Sequence, residues 1–264
     1  MSILGAIIGD IMGSRYEFAN TFDYDFEPFG AGCSFTDDTV CTVAIADAIL
    51  RNHDNPDYKG STLNWCRKYP YPMGAYGASF SRWLRTGGSA PYGSFGNGAA
   101  MRVSPVGFAF ADDPERIESE AEASAAFTHN HPEGIKGAKS IAGAIGELVR
   151  GEGTAAEVAN RWIEKCYKGY PLPIEGEFDE TCQGCVPLAL TLLSESNSYE
   201  DAVRRAVSYG GDSDTLGAIV GSLASAAWKI PEWMVAKAME ILPPDLLSVA
   251  EKFNNNNNYN HAHK

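Results

Sequence analysis

The feature that most constrains how this chain can fold is a pair of small-residue stripes set inside apolar helical segments. Gly5, Gly9 and Gly13 recur every four residues near one end, and Gly217, Gly221 and Ser225 repeat the spacing near the other. On a helix such residues share one face, and each interior glycine costs roughly 1 kcal/mol against alanine. Two such stripes want a compensating gain, which the close approach of another backbone would supply. Membrane dimerisation uses the same spacing. However, the longest uncharged apolar stretch, Leu216 to Trp228, is too short to span a bilayer.

The remaining pattern is also helical. Apolar periodicity predicts helices over about 2–14, 38–52, 75–86, 114–127, 133–150, 155–167, 183–195, 199–208, 215–229, 232–241 and 245–253. Alternating runs are nearly absent; Met101 to Phe110 comes closest, and Pro105 spoils it. The expected class is therefore all-α, with one multi-helix domain over 1–253. From 254 to 264 an Asn-rich tail without periodicity is expected to be disordered, and its His261 and His263 are set aside from any site.

Charge narrows the partners. With 21 Lys+Arg against 34 Asp+Glu the net charge is −13. This argues against nonspecific binding to nucleic acid or anionic membrane and is compatible with binding cations. No basic leader precedes the first apolar run, so the cytoplasm is the expected compartment. The six cysteines are scattered, and the lone Cys182-x-x-Cys185 lacks the second pair a zinc site wants. Structural cysteines opening a helix are expected there.

Two acidic doublets carry the chemistry. Thr36-Asp37-Asp38-Thr39 and Asp212-Ser213-Asp214-Thr215 each place two carboxylates and hydroxyls at the start of an apolar helix. N-capping explains one acid per helix. It does not explain two, because adjacent carboxylates repel. The other reading is a site for divalent cations with hard oxygen ligands, where two ions would add +4 to four acids' −4. The second segment fits neither a D-x-D-x-T phosphatase motif nor an EF-hand loop. Between the doublets, Gly96-Asn97-Gly98-Ala99-Ala100-Met101 is a small-residue loop, readable as an ordinary turn or as an anion-binding nest suited to a pyrophosphate. Glu17 and Thr128-His129 would not be chosen on chemistry alone.

Taken in order, Gly5-x-x-x-Gly9-Asp10-x-x-Gly13-x-x-x-Glu17, Thr36-Asp37-Asp38-Thr39, Gly96-Asn97-Gly98-Ala99-Ala100-Met101-Arg102, Thr128-His129 and Gly210-Gly211-Asp212-Ser213-Asp214-Thr215 give the chain a specific likeness. It resembles the ADP-ribosylglycohydrolases, the family of dinitrogenase-reductase-activating glycohydrolase and the ADP-ribosyl-acceptor hydrolases. The likeness runs from about Gly5 to Trp228.

The resemblance implies an all-α orthogonal bundle with two Mg2+ or Mn2+ ions at the bottom of an ADP-ribose cleft. By motif, Thr36, Asp37, Asp38, Asp212, Asp214 and Thr215 would ligate metal. The Gly96 to Met101 loop and His129 would hold diphosphate and ribose, and Glu17 would stand near metal or the scissile bond. Asp37 or Asp38 would take a proton from water. Asp10 matches too, with a structural role equally open. The implied activity is metal-dependent hydrolysis of the bond between ADP-ribose and an acceptor, on an ADP-ribosylated protein. Alternatives are hydrolysis of small free conjugates such as O-acetyl-ADP-ribose, or a non-catalytic ADP-ribose-binding or structural relative. An aromatic near Tyr76–Trp83 or Tyr92/Phe95 is expected to stack on adenine.

Overall fold

The structure, a computed structural model, describes residues 2–262. Its first helix, α1 (Leu4–Gly13), is buried throughout and packs against α12 (Ser213–Ala227). The stripes explain the pairing: they face each other. A Cβ built on Gly217 would lie 2.5 Å from Gly9 O, and one on Gly5 would run into Ser225 and Gly221 O. Gly13 meets the backbone of Ser213 and Asp214 in the same way. The helices therefore run antiparallel, backbone against backbone. Tyr199 Oη donates to Gly5 O (2.8 Å) and Ser213 Oγ to Gly13 O (3.1 Å), tying polar groups into the seam.

Around this pair lie α2 (Asp37–Arg51), α3 (Tyr58–Lys68), α4 (Ala78–Arg85), α5 (Gly98–Met101), α6 (Ser104–Ala109), α7 (Pro114–Ala126), α8 (Pro132–Val149), α9 (Ala155–Cys166), α10 (Cys182–Ser194), α11 (Tyr199–Tyr209), α13 (Glu232–Ile241) and α14 (Pro244–Ala262). The all-α class holds; among the described residues the β structure is two isolated bridges, Thr36 to Met73 and Gly96 to Thr181. One hydrophobic cluster extends from Ile3 to Phe253. No described helix is long and apolar enough to cross a membrane.

Three segments differ from the sequence reading. Helix α3 was not foreseen, because Gly60, Ser61, Thr62 and Asn64 break its apolar periodicity. Tertiary bonds fix it instead: Ser61 Oγ donates to Ala44 O (2.7 Å) and Trp65 Nε1 to Asp47 Oδ2 (2.9 Å), both on α2. The strand-like run 101–110 becomes α6, with Pro105 in its first turn, where a missing N–H costs little. Helix α14, expected to span about 245–253, is longer and runs from Pro244 to Ala262. Phe253 is buried, and Asn254 Oδ1 accepts from Ile3 N–H at 3.1 Å, anchoring the helix at the point where the Asn run begins. His263 and Lys264 lie outside the described residues.

Cys182 and Cys185 are buried free thiols in the first turn of α10, which Thr181 caps. Burial pushes the Cys182 thiol up to about 12, far from reactive.

Candidate active site

The antiparallel α1–α12 contact decides what meets in the cleft. Since Gly13 lies against Asp214, the end of α1 and the short turn Ser14–Tyr16 deliver Glu17 to the start of α12. From the same helix Asp10 reaches the start of α2. Its Oδ2 accepts from the N–H of Thr36 (3.0 Å) and Thr39 (3.1 Å) and from the Thr39 hydroxyl. One helix thus holds both acidic segments, and Asp38 Oδ2 accepts from Thr215 Oγ1 at 3.1 Å across their junction.

Capping can be checked atom by atom. Thr36, not an aspartate, caps α2, its Oγ1 accepting from Asp38 N–H at 3.1 Å. Asp212 occupies the N-cap position of α12 without a side-chain capping bond. Its Oδ2 accepts instead from Asn97 Nδ2 at 2.6 Å. Asp38 Oδ1 and Asp214 Oδ1 are buried with no hydrogen-bond partner among the described residues. Capping leaves these acids unexplained.

Their electrostatics are unfavourable as they stand. Burial pushes the carboxyls of Asp37, Asp38, Asp212 and Asp214 above the usual range, and neighbouring carboxylates push Asp38 and Asp214 further. Asp10 is raised to about 6 by burial, against the hydrogen bonds from Thr39 and Thr36. Glu17 rises to about 7 through burial, then Asp212 and Asp10. Ligand oxygens of Glu17, Asp212 and Asp214 lie within 4.8 Å of one another. Hard donors, orphaned buried oxygens and mutual repulsion together fit a divalent cation.

The opposite wall has a different chemistry. Gly96, Asn97, Gly98, Met101, Arg102 and His129 line one cleft of about 470 Å³ together with Glu17, Asp37, Asp38, Asp212, Asp214 and Thr215. Thr36, Ala99 and Ala100 are buried and do not line it. The amide nest is smaller than the sequence suggested. Gly96 N–H is bonded to Ser94 Oγ, Asn97 N–H to Glu180 O, and Ala100 and Met101 N–H to Asn97 O, which leaves Gly98 and Ala99.

Sequence reasoning assigned no role to Arg102, Phe18 or Phe178 and left that of Asp10 open. Asp10's part in holding α2 was signalled only by its being the one charge in an otherwise apolar helix. Buried Arg102 sits inside the loop motif, but its environment is tertiary. Phe18 and Phe178, a stacked pair at the cleft with centroids 6.1 Å apart, come from loops with no local pattern. Tyr76, Phe80 and Trp83 are buried, whereas Phe95 is exposed beside the cleft.

The chain is thus an all-α bundle whose cleft joins an acidic floor to a glycine-rich wall. The ADP-ribosylglycohydrolase family profile matches residues 1–261, and the chain belongs to that family. It is 27% identical over 251 residues to the ADP-ribosyl-[dinitrogen reductase] glycohydrolase of Rhodospirillum rubrum, spanning 88% of this chain and 85% of that protein. The ADP-ribosylarginine hydrolase Tri1 of Pseudomonas putida (strain GB-1) is 23% identical over 269 residues, 88% of this chain and 72% of its own. A solved ADP-ribosylglycohydrolase-related protein complex superposes with a TM-score of 0.74 at 25% identity, covering 95% of this chain and 94% of that one.

Proposed function

We propose that the chain is a divalent-cation-dependent hydrolase that cleaves the glycosidic bond between ADP-ribose and an acceptor. The observation that carries this reading is the meeting of two acidic helix starts whose buried oxygens lack partners. Asp37, Asp38, Asp212, Asp214 and the Thr215 hydroxyl, with Glu17 beside them, would hold one or two Mg2+ or Mn2+ ions. Thr36 would contribute by ordering Asp38. When bound, such ions act as Lewis acids and lower the pKa of water.

The chain's own groups do the rest. Because these carboxylates would offset the charge of the cations, the floor does not repel the positive charge that develops at the ribose anomeric carbon. Asp37 or Asp38 accepts the proton of the attacking water. Glu17, whose carboxyl burial and the acids around it raise to about 7 when no cation is bound, stands beside the scissile end. The Gly98 amide and His129 face the diphosphate and adjoining ribose, while Gly96, Asn97, Ala99, Ala100 and Met101 shape the loop. Phe18, Phe95 and Phe178 offer faces for the adenine.

The test is incubation with arginine-linked and serine-linked ADP-ribose, with Mg2+, Mn2+ or chelator, measuring released ADP-ribose. Release that depends on the cation is expected. Binding of ADP-ribose with no release from any conjugate would leave a binding module instead.

A further inference from the structure

Arg102 is a fully buried cation that forms no ion pair with a carboxylate among the described residues. Its guanidinium lies 4.6 Å from the centroid of Phe127 and donates to Ser124 O through Nε (3.3 Å) and Nη2 (3.0 Å). Nη2 also donates to Thr128 Oγ1 at 2.8 Å. That hydroxyl is in turn 2.7 Å from His129 Nδ1.

The direction of this last bond follows from what each group can do. A guanidinium only donates, so the Thr128 oxygen accepts from it and keeps its own proton to give. Two acceptors are in reach: His129 Nδ1 at 2.7 Å and Ala125 O at 3.5 Å. The reverse arrangement would put two donors on one oxygen and leave the hydroxyl proton on the long contact. Donation to Nδ1 is the better solution, and it makes Nδ1 an acceptor. In a neutral ring the proton is then on Nε2. Burial and the nearby Arg102 charge both hold the imidazole neutral. Nε2 faces the glycine loop: a Cβ on Gly98 would lie 3.0 Å from it, and one on Gly96 3.6 Å.

We propose that the Arg102–Thr128 pair is a positioning device that locks His129 in its Nε2–H tautomer, so that the ring presents a donor to an anionic oxygen of the ligand held at the Gly96–Gly98 loop. The ligand half of this statement rests on the functional reading above; the tautomer half does not. The same buried cation that would repel a protonated imidazole thus orients a neutral one through a single hydroxyl.

The test is placed on Thr128, because removing Arg102 would leave a large buried void. In 15N-labelled protein, long-range proton–nitrogen correlation of the His129 ring reads the tautomer directly. The wild type should show a protonated Nε2 and an unprotonated Nδ1. Thr128→Val, which keeps shape but loses the hydroxyl, should give a mixture of tautomers and weaken ADP-ribose binding about tenfold by calorimetry. Thr128→Ser should restore both. A wild-type ring protonated at Nδ1, or a Thr128→Val protein with unchanged ring spectrum and unchanged affinity, overturns the proposal. Failure of wild-type protein to bind ADP-ribose would overturn the functional reading and the ligand half, with the spectra still deciding the tautomer.

Discussion

The floor and the wall of the cleft are buried to the same depth but resolve the cost of burying charge in opposite ways. Asp38 and Asp214 are 2% and 3% exposed, and Arg102 and His129 are 1% and 5% exposed. On the wall the charge is satisfied from within, by a carbonyl, a hydroxyl and an aromatic ring. On the floor other acids press on Asp38 and Asp214, the Thr215 hydroxyl relieves Asp38 in part, and two oxygens have no partner. A charge satisfied internally is part of the fold. A set left unsatisfied is the part of the cleft where a cation would relieve the most strain.

The strongest attack on this contrast is to remove floor carboxylates. Asp38→Ala and Asp214→Ala should each lower ADP-ribose release by roughly a thousandfold or more. Each should also abolish the rise in melting temperature that Mn2+ gives the wild type. A variant that keeps full turnover and the Mn2+ shift would show that the acids are not the cation's ligands.

Next in size is the seam that sets the floor in place. Gly217→Ala pushes a methyl against Gly9 O, and both contacting groups are helix backbone that cannot yield cheaply. A loss of about 3 kcal/mol in unfolding free energy is expected. Because α1 carries Asp10 and leads to Glu17, cation affinity should fall with it, while the His129 ring spectrum on the wall should hardly change. Equal disturbance of floor and wall would mean that the two are not separately positioned.

The stripes were visible in the sequence, and so was the fact that they wanted a close backbone; that they wanted each other was not, since spacing carries no partner. The acidic doublets were equally plain, as was their placement at helix starts. Family likeness, more than chemistry, pointed to Glu17 and His129. What stayed hidden was long-range: Asp10 accepting from the Thr36 and Thr39 amides at the start of α2, Asn97 reaching Asp212, and Arg102 reaching His129 through Thr128. Helix α3 was missed for the same reason, since its polar residues bond to α2 instead of following a period.

Acidity separates floor from wall by sign. Asp10, raised from 3.8 to about 6, binds its proton more tightly folded than unfolded. The cation-free protein should therefore be most favoured below pH 4 as far as this group is concerned, and lose stability as pH rises from about 4 to 6, on the order of 3 kcal/mol. Glu17 extends the same trend towards pH 7. His129 is shifted below its usual 6.5, so its contribution is present above that pH and is lost on acidification. Denaturant unfolding in chelator from pH 4 to 8 should show Asp10→Asn flattening the loss on the alkaline side, and His129→Gln flattening the loss on the acid side. Saturating Mn2+ should remove the first effect and spare the second. Matching pH curves for the two variants would contradict the division.

The smallest expected effect tests where the regions touch. Asn97 belongs to the wall, but its Nδ2 donates to Asp212 Oδ2 on the floor at 2.6 Å. Its backbone bonds to Glu180 O, Ala100 and Met101 do not involve the side chain, so Asn97→Ala should leave the loop intact. Without a cation, the substitution strips a neutral donor from a carboxylate already pushed up by burial, which should cost about 1–2 kcal/mol. With a cation bound beside Asp212, that carboxylate has a stronger partner, and the loss should shrink. Melting curves of wild type and Asn97→Ala, in chelator and in saturating Mn2+, therefore measure the overlap between a hydrogen bond supplied by the fold and a charge supplied from outside. A deficit that is as large with Mn2+ as without it would mean that Asn97 only packs the loop, and that the wall does nothing to relieve the floor.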